Sequence, residues 1–263
     1  MQIETILSQI DLGSYALPEF QRGYVWNREQ VRKLMSSLYR EYPIGGLLVW
    51  VTKTNSEITR GKGQLTPGSV NLILDGQQRV TTLYGIVKGE PPKFFDGNKR
   101  AFTDLYFNLR DEIFEFYMPM KMKDNPEWIS VTKLMKKGVG SYINDVTKDD
   151  PEKGQFLIKE IEKLTRIENI KKRDLHIQQV AGDEFTIDVV VDIFNNVNSG
   201  GTKLSKGDLA LAKICGEWPE AREELKKILD KYSKAGYNFK MDWLLRCITV
   251  YLTKRPYFSE LGK

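Results

Sequence analysis

Apolar residues near the start of the chain recur at helical spacing, and Ile3, Ile6, Leu7 and Ile10 predict a short amphipathic helix. Tyr15-Ala16-Leu17 reads as a brief extended piece, because Pro18 disfavours helix in the residue before it. Glu19 through Trp26 is a loop dense in aromatic and polar side chains. Asn27 and Gln30 form a capping-box pattern that opens a helix running to about Glu41, with Val31, Leu34, Met35 and Leu38 as its apolar stripe. Pro43 and Gly45-Gly46 stop it, and the unbroken apolar run Leu47 to Val51 predicts a buried strand. Thr54 to Ser69 is polar and punctuated by glycine and proline, as a surface loop is. A second strand, Val70 to Leu74, runs directly into Asp75-Gly76-Gln77-Gln78-Arg79. Val80, Leu83, Tyr84 and Val87 then resume helical spacing until Gly89 and Pro91-Pro92.

Further on, Leu105–Leu109 and Ile113–Tyr117 pair in pattern about Arg110-Asp111, predicting a hairpin. Helices follow at Ser130–Lys137, Pro151–Ile167, Thr186–Val197, Ser205–Cys215, Pro219–Tyr232 and Met241–Thr253, with one strand near Leu175–Val180. The expected class is α+β. A composition shift near residue 120 divides an α/β part, 1–120, from a mostly helical part, 121–263. No internal repeat is visible.

Composition narrows the function. With 41% hydrophobic and 29% charged residues the chain is ordinary globular material, and no apolar run approaches a membrane span. Met1 to Thr5 lacks the basic flank and apolar stretch of a secretory signal, so a cytoplasmic protein with no membrane partner is expected. Cys215 and Cys247 sit in helical apolar patterns and read as small core residues. His176 is the single histidine, in a strand-like alternation, and it excludes histidine-metal protease or nuclease chemistry within this chain. The formal charge of +5 permits nucleic-acid contact without demanding it. The basic clusters Lys121/Lys123, Lys133/Lys136/Lys137 and Lys171/Lys172/Arg173 could track a phosphate backbone or form solvated faces.

The strand-to-helix junction is where ligand chemistry concentrates. The first N–H groups of a helix lack internal partners, and the helix dipole adds positive charge there, so phosphate is favoured. Gly76 would let backbone approach a ligand, and Arg79 would supply a fork-shaped cation. Gln77, Gln78, Thr81 and Thr82 offer further polar groups in the first turns. Asp75 would repel phosphate directly and suits a magnesium ligand or a water-positioning base. The plainer alternative makes Asp75 a helix cap and Arg79 a surface cation.

Two more segments could complete a site. Asp192 to Leu204 is a helix end and glycine turn in which Asn195 and Asn198 could project on one face, with Gly201 and Lys203 beyond; helix-stop chemistry explains the glycines well and Asn195 poorly. Phe20, Gln21, Arg22, Tyr24 and Trp26 could stack on a base or anchor their loop in the core.

Taken in order, Leu17 to Trp26, Leu74 to Leu83 and Phe194 to Asp208 resemble the GmrSD-type N-terminal domain of modification-dependent restriction systems, a family related to the phage-defence protein SspE. The resemblance implies a ParB/sulfiredoxin-like α/β core with an added helical region. It implies NTP binding and hydrolysis at Asp75, Gly76, Gln77, Gln78 and Arg79, and a second element at Asn195, Asn198, Gly201 and Leu204. The family's Asn-Ser-Arg-Gly wording is Asn198-Ser199-Gly200-Gly201 here, so an arginine is missing; Gln77 stands where sulfiredoxin has cysteine, which excludes thiol chemistry. Relatives carry or recruit a histidine-metal nuclease domain, which one histidine cannot build, and the stop at Glu260 to Lys263 fits an excised domain.

The leading expectation is therefore a magnesium-dependent NTPase that regulates a nuclease domain or subunit in response to modified DNA, with Asp75 and Arg79 catalytic. The alternative is a binding module that senses DNA modification through Phe20, Gln21, Arg22, Tyr24 and Trp26 without turnover. An inert scaffold comes last, since it leaves the Asp75–Arg79 motif unexplained. A homo-oligomer is left open.

Overall fold

The computed structural model describes residues 1–19, 21, 23–53, 67–182, 184–185, 187–197, 206–218, 220–255 and 257. It is α+β, with two small sheets among many helices. Among the described residues no helix is long and apolar enough to cross a membrane. The chain forms two compact units, each assembled from separated stretches. The first takes in residues 1–13, 23–48 and 76–178; the second takes in 14–22, 49–75 and 179–263.

In the first unit, α1 (Ile3–Asp11) buries Ile3, Ile6, Leu7 and Ile10, the stripe that the sequence spacing predicts. Each such side chain stabilises the fold by roughly 1.5–3 kcal/mol relative to full exposure. The helix α2 (Arg28–Tyr39) opens with the expected capping box, Asn27 and Gln30 each satisfying the other's backbone N–H. Its Tyr39 packs against Phe107 and Phe114 of the hairpin β4 (Leu105–Asn108) and β5 (Ile113–Phe116). These strands are antiparallel, and a short strand that sequence spacing did not announce, β6 (Trp128–Ser130), pairs on the other side of β4.

α3 (Gln77–Lys88) follows the strand β3 (Ser69–Asp75) with only Gly76 between them. It starts three residues before Val80, because a left-handed glycine reverses the chain without any further turn residue. After the single turn α4 (Pro119–Met122), α5 (Val131–Lys137) is capped by Ser130, and α6 (Val139–Asp149) is a helix that Gly138 and Gly140 disguised. The single helix expected over Pro151–Ile167 is two. Glu160 departs from helical backbone (φ −99°, ψ 18°) between α7 (Pro151–Lys159) and α8 (Ile161–Glu168). α7 lies so close to α6 that a β-carbon on Gly154 would stand 2.1 Å from the Thr147 hydroxyl.

The second unit holds most of a sheet ordered β1, β3, β2, β7, from β1 (Tyr15–Ala16), β2 (Leu47–Lys53) and β7 (Ile177–Ala181) with β3. β1 runs parallel to β3, Tyr15 opposite Asn71. The helices are α9 (Ile187–Val197), α10 (Lys206–Glu217), α11 (Ala221–Lys234) and α12 (Met241–Thr253). Leu211, Cys215, Ala221, Leu225 and Leu245 join three of them in one core. Cys247 departs from the core role expected of it. It is exposed, because α12 turns its Leu245 and Thr249 inward and Cys247 falls on the opposite side.

Candidate functional site at the start of the third helix

Gly76 is the N-cap of α3 at φ 93°, ψ 3°. Two facts make glycine necessary there. A β-carbon would stand 2.2 Å from Leu47 Cδ2, and left-handed backbone strains any L side chain. The N-cap glycine brings no side chain to cap this helix end, and the first turn holds no acidic residue.

Arg79 does not point away into solvent. Its guanidinium turns back along the helix, Nη1 donating to the Ile44 carbonyl at 2.9 Å and Nη2 to the Gly46 carbonyl at 2.6 Å. Nη2 lies 3.1 Å from the place a Gly76 β-carbon would take, so the cation sits beside the helix's first residue. Gly45 makes room on the other side, at φ 78°, where a β-carbon would come within 2.8 Å of Nη1. A full positive charge is thereby held at the positive end of the helix dipole.

Gln78 grips a different loop. Its Oε1 accepts from the N–H of Val25 (2.9 Å) and of Trp26 (3.2 Å), while Nε2 donates to the Gly23 carbonyl (3.2 Å). One amide side chain thus satisfies three backbone groups that a loop leaves without ladder partners. Gln77 is buried, as are Thr81 and Thr82. The Thr82 hydroxyl donates to the Gln78 carbonyl and meets the Tyr24 hydroxyl at 2.7 Å.

Tyr24 is 6% exposed, wedged edge-on against Phe102 and tilted against Phe95. Burial pushes its phenol up to about 12, offset in part by the hydrogen bond with Thr82. Of the two readings of the aromatic loop, Tyr24 takes that of core anchor; Trp26 is half-buried and Val25 exposed. Gln21, in the second unit, is buried and donates to the Leu74 carbonyl at 2.6 Å. Phe20 and Arg22 lie outside the described residues.

Asp75 is half-buried at the end of β3, the last residue of the second unit before the chain enters the first. Asn195 belongs to α9, but its side chain is outside the described part, as are Asn198, Gly201 and Lys203 altogether. Sequence reasoning passed over one strong contact in the second unit. Arg222 pairs with the buried carboxylate of Glu19 and also donates to the Glu19 carbonyl. Nothing local marks that pair, whose members are 203 residues apart. The proposed basic tracks are partly neutralised: Lys121 pairs with Glu115, Lys137 with Asp145, Lys171 with Glu168 and Arg173 with Glu41.

Residues 3–215 match the GmrSD restriction endonuclease N-terminal domain. The chain belongs to that family and is a restriction-system component. It is also similar to an uncharacterized protein of Methanocaldococcus jannaschii, 35% identical over 82 residues. That match takes in 27% of this chain and 14% of the length of the archaeal protein.

Proposed function

We propose that this domain binds a nucleoside triphosphate at the start of α3 and hydrolyses it, gating a nuclease in a modification-dependent restriction system. The observation that carries this reading is the Arg79 guanidinium, fixed beside Gly76 by two carbonyls at the start of a helix whose N-cap is a glycine. Two backbone bonds immobilise that cation before any ligand arrives, so a phosphate there gains charge stabilisation without the cost of ordering a free arginine.

Magnesium fits on one condition. Among the described residues no three His, Cys, Asp or Glu side chains gather to hold an ion. Magnesium commonly needs only one or two carboxylates when substrate phosphates and waters complete its octahedron. Asp75, adjoining Gly76, would supply that carboxylate to an ion carried by the nucleotide, which would neutralise phosphate charge. Gln77 would face the same ligand, while Gln78, Thr82 and Tyr24 hold the surrounding backbone in place. A ParB/sulfiredoxin-like identity for the first 120 residues, DNA as the signal and a histidine-metal nuclease as the output are parts of the same proposal, supported by the family's restriction role.

The test is phosphate release from each of the four NTPs with Mg²⁺, with and without modified DNA. Asp75→Asn should lower turnover by about 100-fold or more, the scale of a removed acid–base or ion-holding group. Arg79→Lys keeps charge but cannot bridge both carbonyls, and should lower it too. Both variants need melting curves beside them, since Arg79 also supports the fold. Absence of both turnover and calorimetric nucleotide binding in a well-folded wild type would sink the reading.

A further inference from the structure

Beyond the residues matched by the family, α11 and α12 present an aromatic stack that no core requires. Phe239 and Trp243 are parallel, 11° between planes with centroids 4.0 Å apart. Tyr237 is parallel to Phe239 at 3° and 5.8 Å, and Tyr232 meets Phe239 edge-on at 5.7 Å. Despite these contacts Tyr237 is 58% and Trp243 44% exposed. The turn between the helices fixes them: Gly236 is left-handed at φ 91°, and the Tyr237 N–H returns to the Tyr232 carbonyl at 3.0 Å. The core of this unit lies elsewhere, on Leu211, Cys215, Leu225 and Leu245.

Charge accompanies the rings. Residues 231–240 hold Lys231, Lys234 and Lys240 and no carboxylate. All three lysines are exposed, and among the described residues none is in an ion pair. Partly exposed parallel rings interleaved with cations suit a flexible chain of unpaired bases: each base offers a π-face and each phosphate a charge. A protein partner would match the apolar rings but leave three lysine charges to be paired or desolvated. Duplex DNA hides its base faces in its own stack and would use the lysines alone.

We propose that Tyr232, Tyr237, Phe239 and Trp243, with Lys231, Lys234 and Lys240, form a platform for single-stranded DNA. This site is independent of the nucleotide site, so its test contains no nucleotide. Anisotropy of a labelled oligo(dT) of about 15 nucleotides would be measured against a duplex of equal length, using the full chain. The wild type should prefer the single strand by about tenfold, and Tyr237→Ala and Trp243→Ala should each lose about tenfold in affinity. Trp243→Phe should keep most of it, which separates stacking from loss of fold. Lys234→Glu with Lys240→Glu should weaken binding and flatten the salt dependence by roughly 0.7 of slope per lost phosphate contact. Failure of the wild type to bind oligo(dT), or unchanged affinity in folded Tyr237→Ala and in the lysine variant, overturns the proposal. So does a concentration-dependent dimer that Tyr237→Ala abolishes, which would make the rings a protein contact.

Discussion

Arg79 Nη2 lies only 3.1 Å from where a β-carbon on Gly76 would stand, so the guanidinium packs directly against the glycine. Gly76→Ala should therefore destabilise by more than the ~1 kcal/mol expected from left-handed backbone alone, because Leu47 and Arg79 must also yield. Gly68 is the control. It too has positive φ, at 102°, but among the described residues nothing lies within 4 Å of its missing β-carbon. Calorimetric melting should show a clearly larger fall for Gly76→Ala than for Gly68→Ala; equal falls would mean the close packing carries no weight.

Gln78 bonds three backbone groups of the Gly23–Trp26 loop. Gln78→Leu keeps similar bulk and removes all of them, and should cost about 1–3 kcal/mol, the penalty of leaving the part-buried Trp26 N–H and Gly23 carbonyl unsatisfied. Amide hydrogen exchange at Val25 and Trp26 should accelerate more than elsewhere. Exchange that rises uniformly across the chain would show that Gln78 supports global stability and not this loop.

The phenol of Tyr24 is held at about 12, above its ordinary 10, chiefly by burial. The sign follows directly. Between these values the unfolded chain loses the proton and the folded chain keeps it, so stability is intact below pH 10 and falls as pH rises toward 12. Tyr39 and Tyr142 are raised to about 12 as well, both chiefly by burial, and steepen the same fall. Tyr24→Phe should remove one proton from the slope, about 1.4 kcal/mol per pH unit at most. Chemical denaturation across that window would read it, and an unchanged slope would show that Tyr24 is solvated in solution.

The two cysteines should differ sharply toward a thiol reagent. Burial, and then the neighbouring Glu19 charge, push Cys215 up to about 11, while Cys247 is exposed. Native protein should take up one label at mildly alkaline pH, and Cys247→Ser should take up none until unfolded. Rapid labelling of both would show that the α10–α12 core opens readily.

Much of this architecture is legible along the chain because its causes are local. The stripes of α1 and α2, the Asn27–Gln30 capping box and the strand-glycine-helix passage at Asp75–Gly76 all follow from period and from residues whose backbone preferences are narrow. The same logic missed α6, where Gly138 and Gly140 look like loop, and β6, too short to show alternation. It merged α7 and α8, because Glu160 is a good helix former whose backbone geometry is set by packing.

The sequence by itself determined that Asp75 to Arg79 joins a strand to a helix through a glycine; that no other residue fits at Gly76 was decided by its left-handed backbone and by Leu47 beside it. Only the tertiary structure decided what the motif's side chains hold: Arg79 the turn 33 to 35 residues earlier, and Gln78 the loop 52 to 55 residues earlier. Those partners are backbone carbonyls and N–H groups that every residue possesses, so no residue type betrays them. They become partners because folding strands them near one another without ladder bonds, and burying them unpaired would cost more than fixing one glutamine and one arginine.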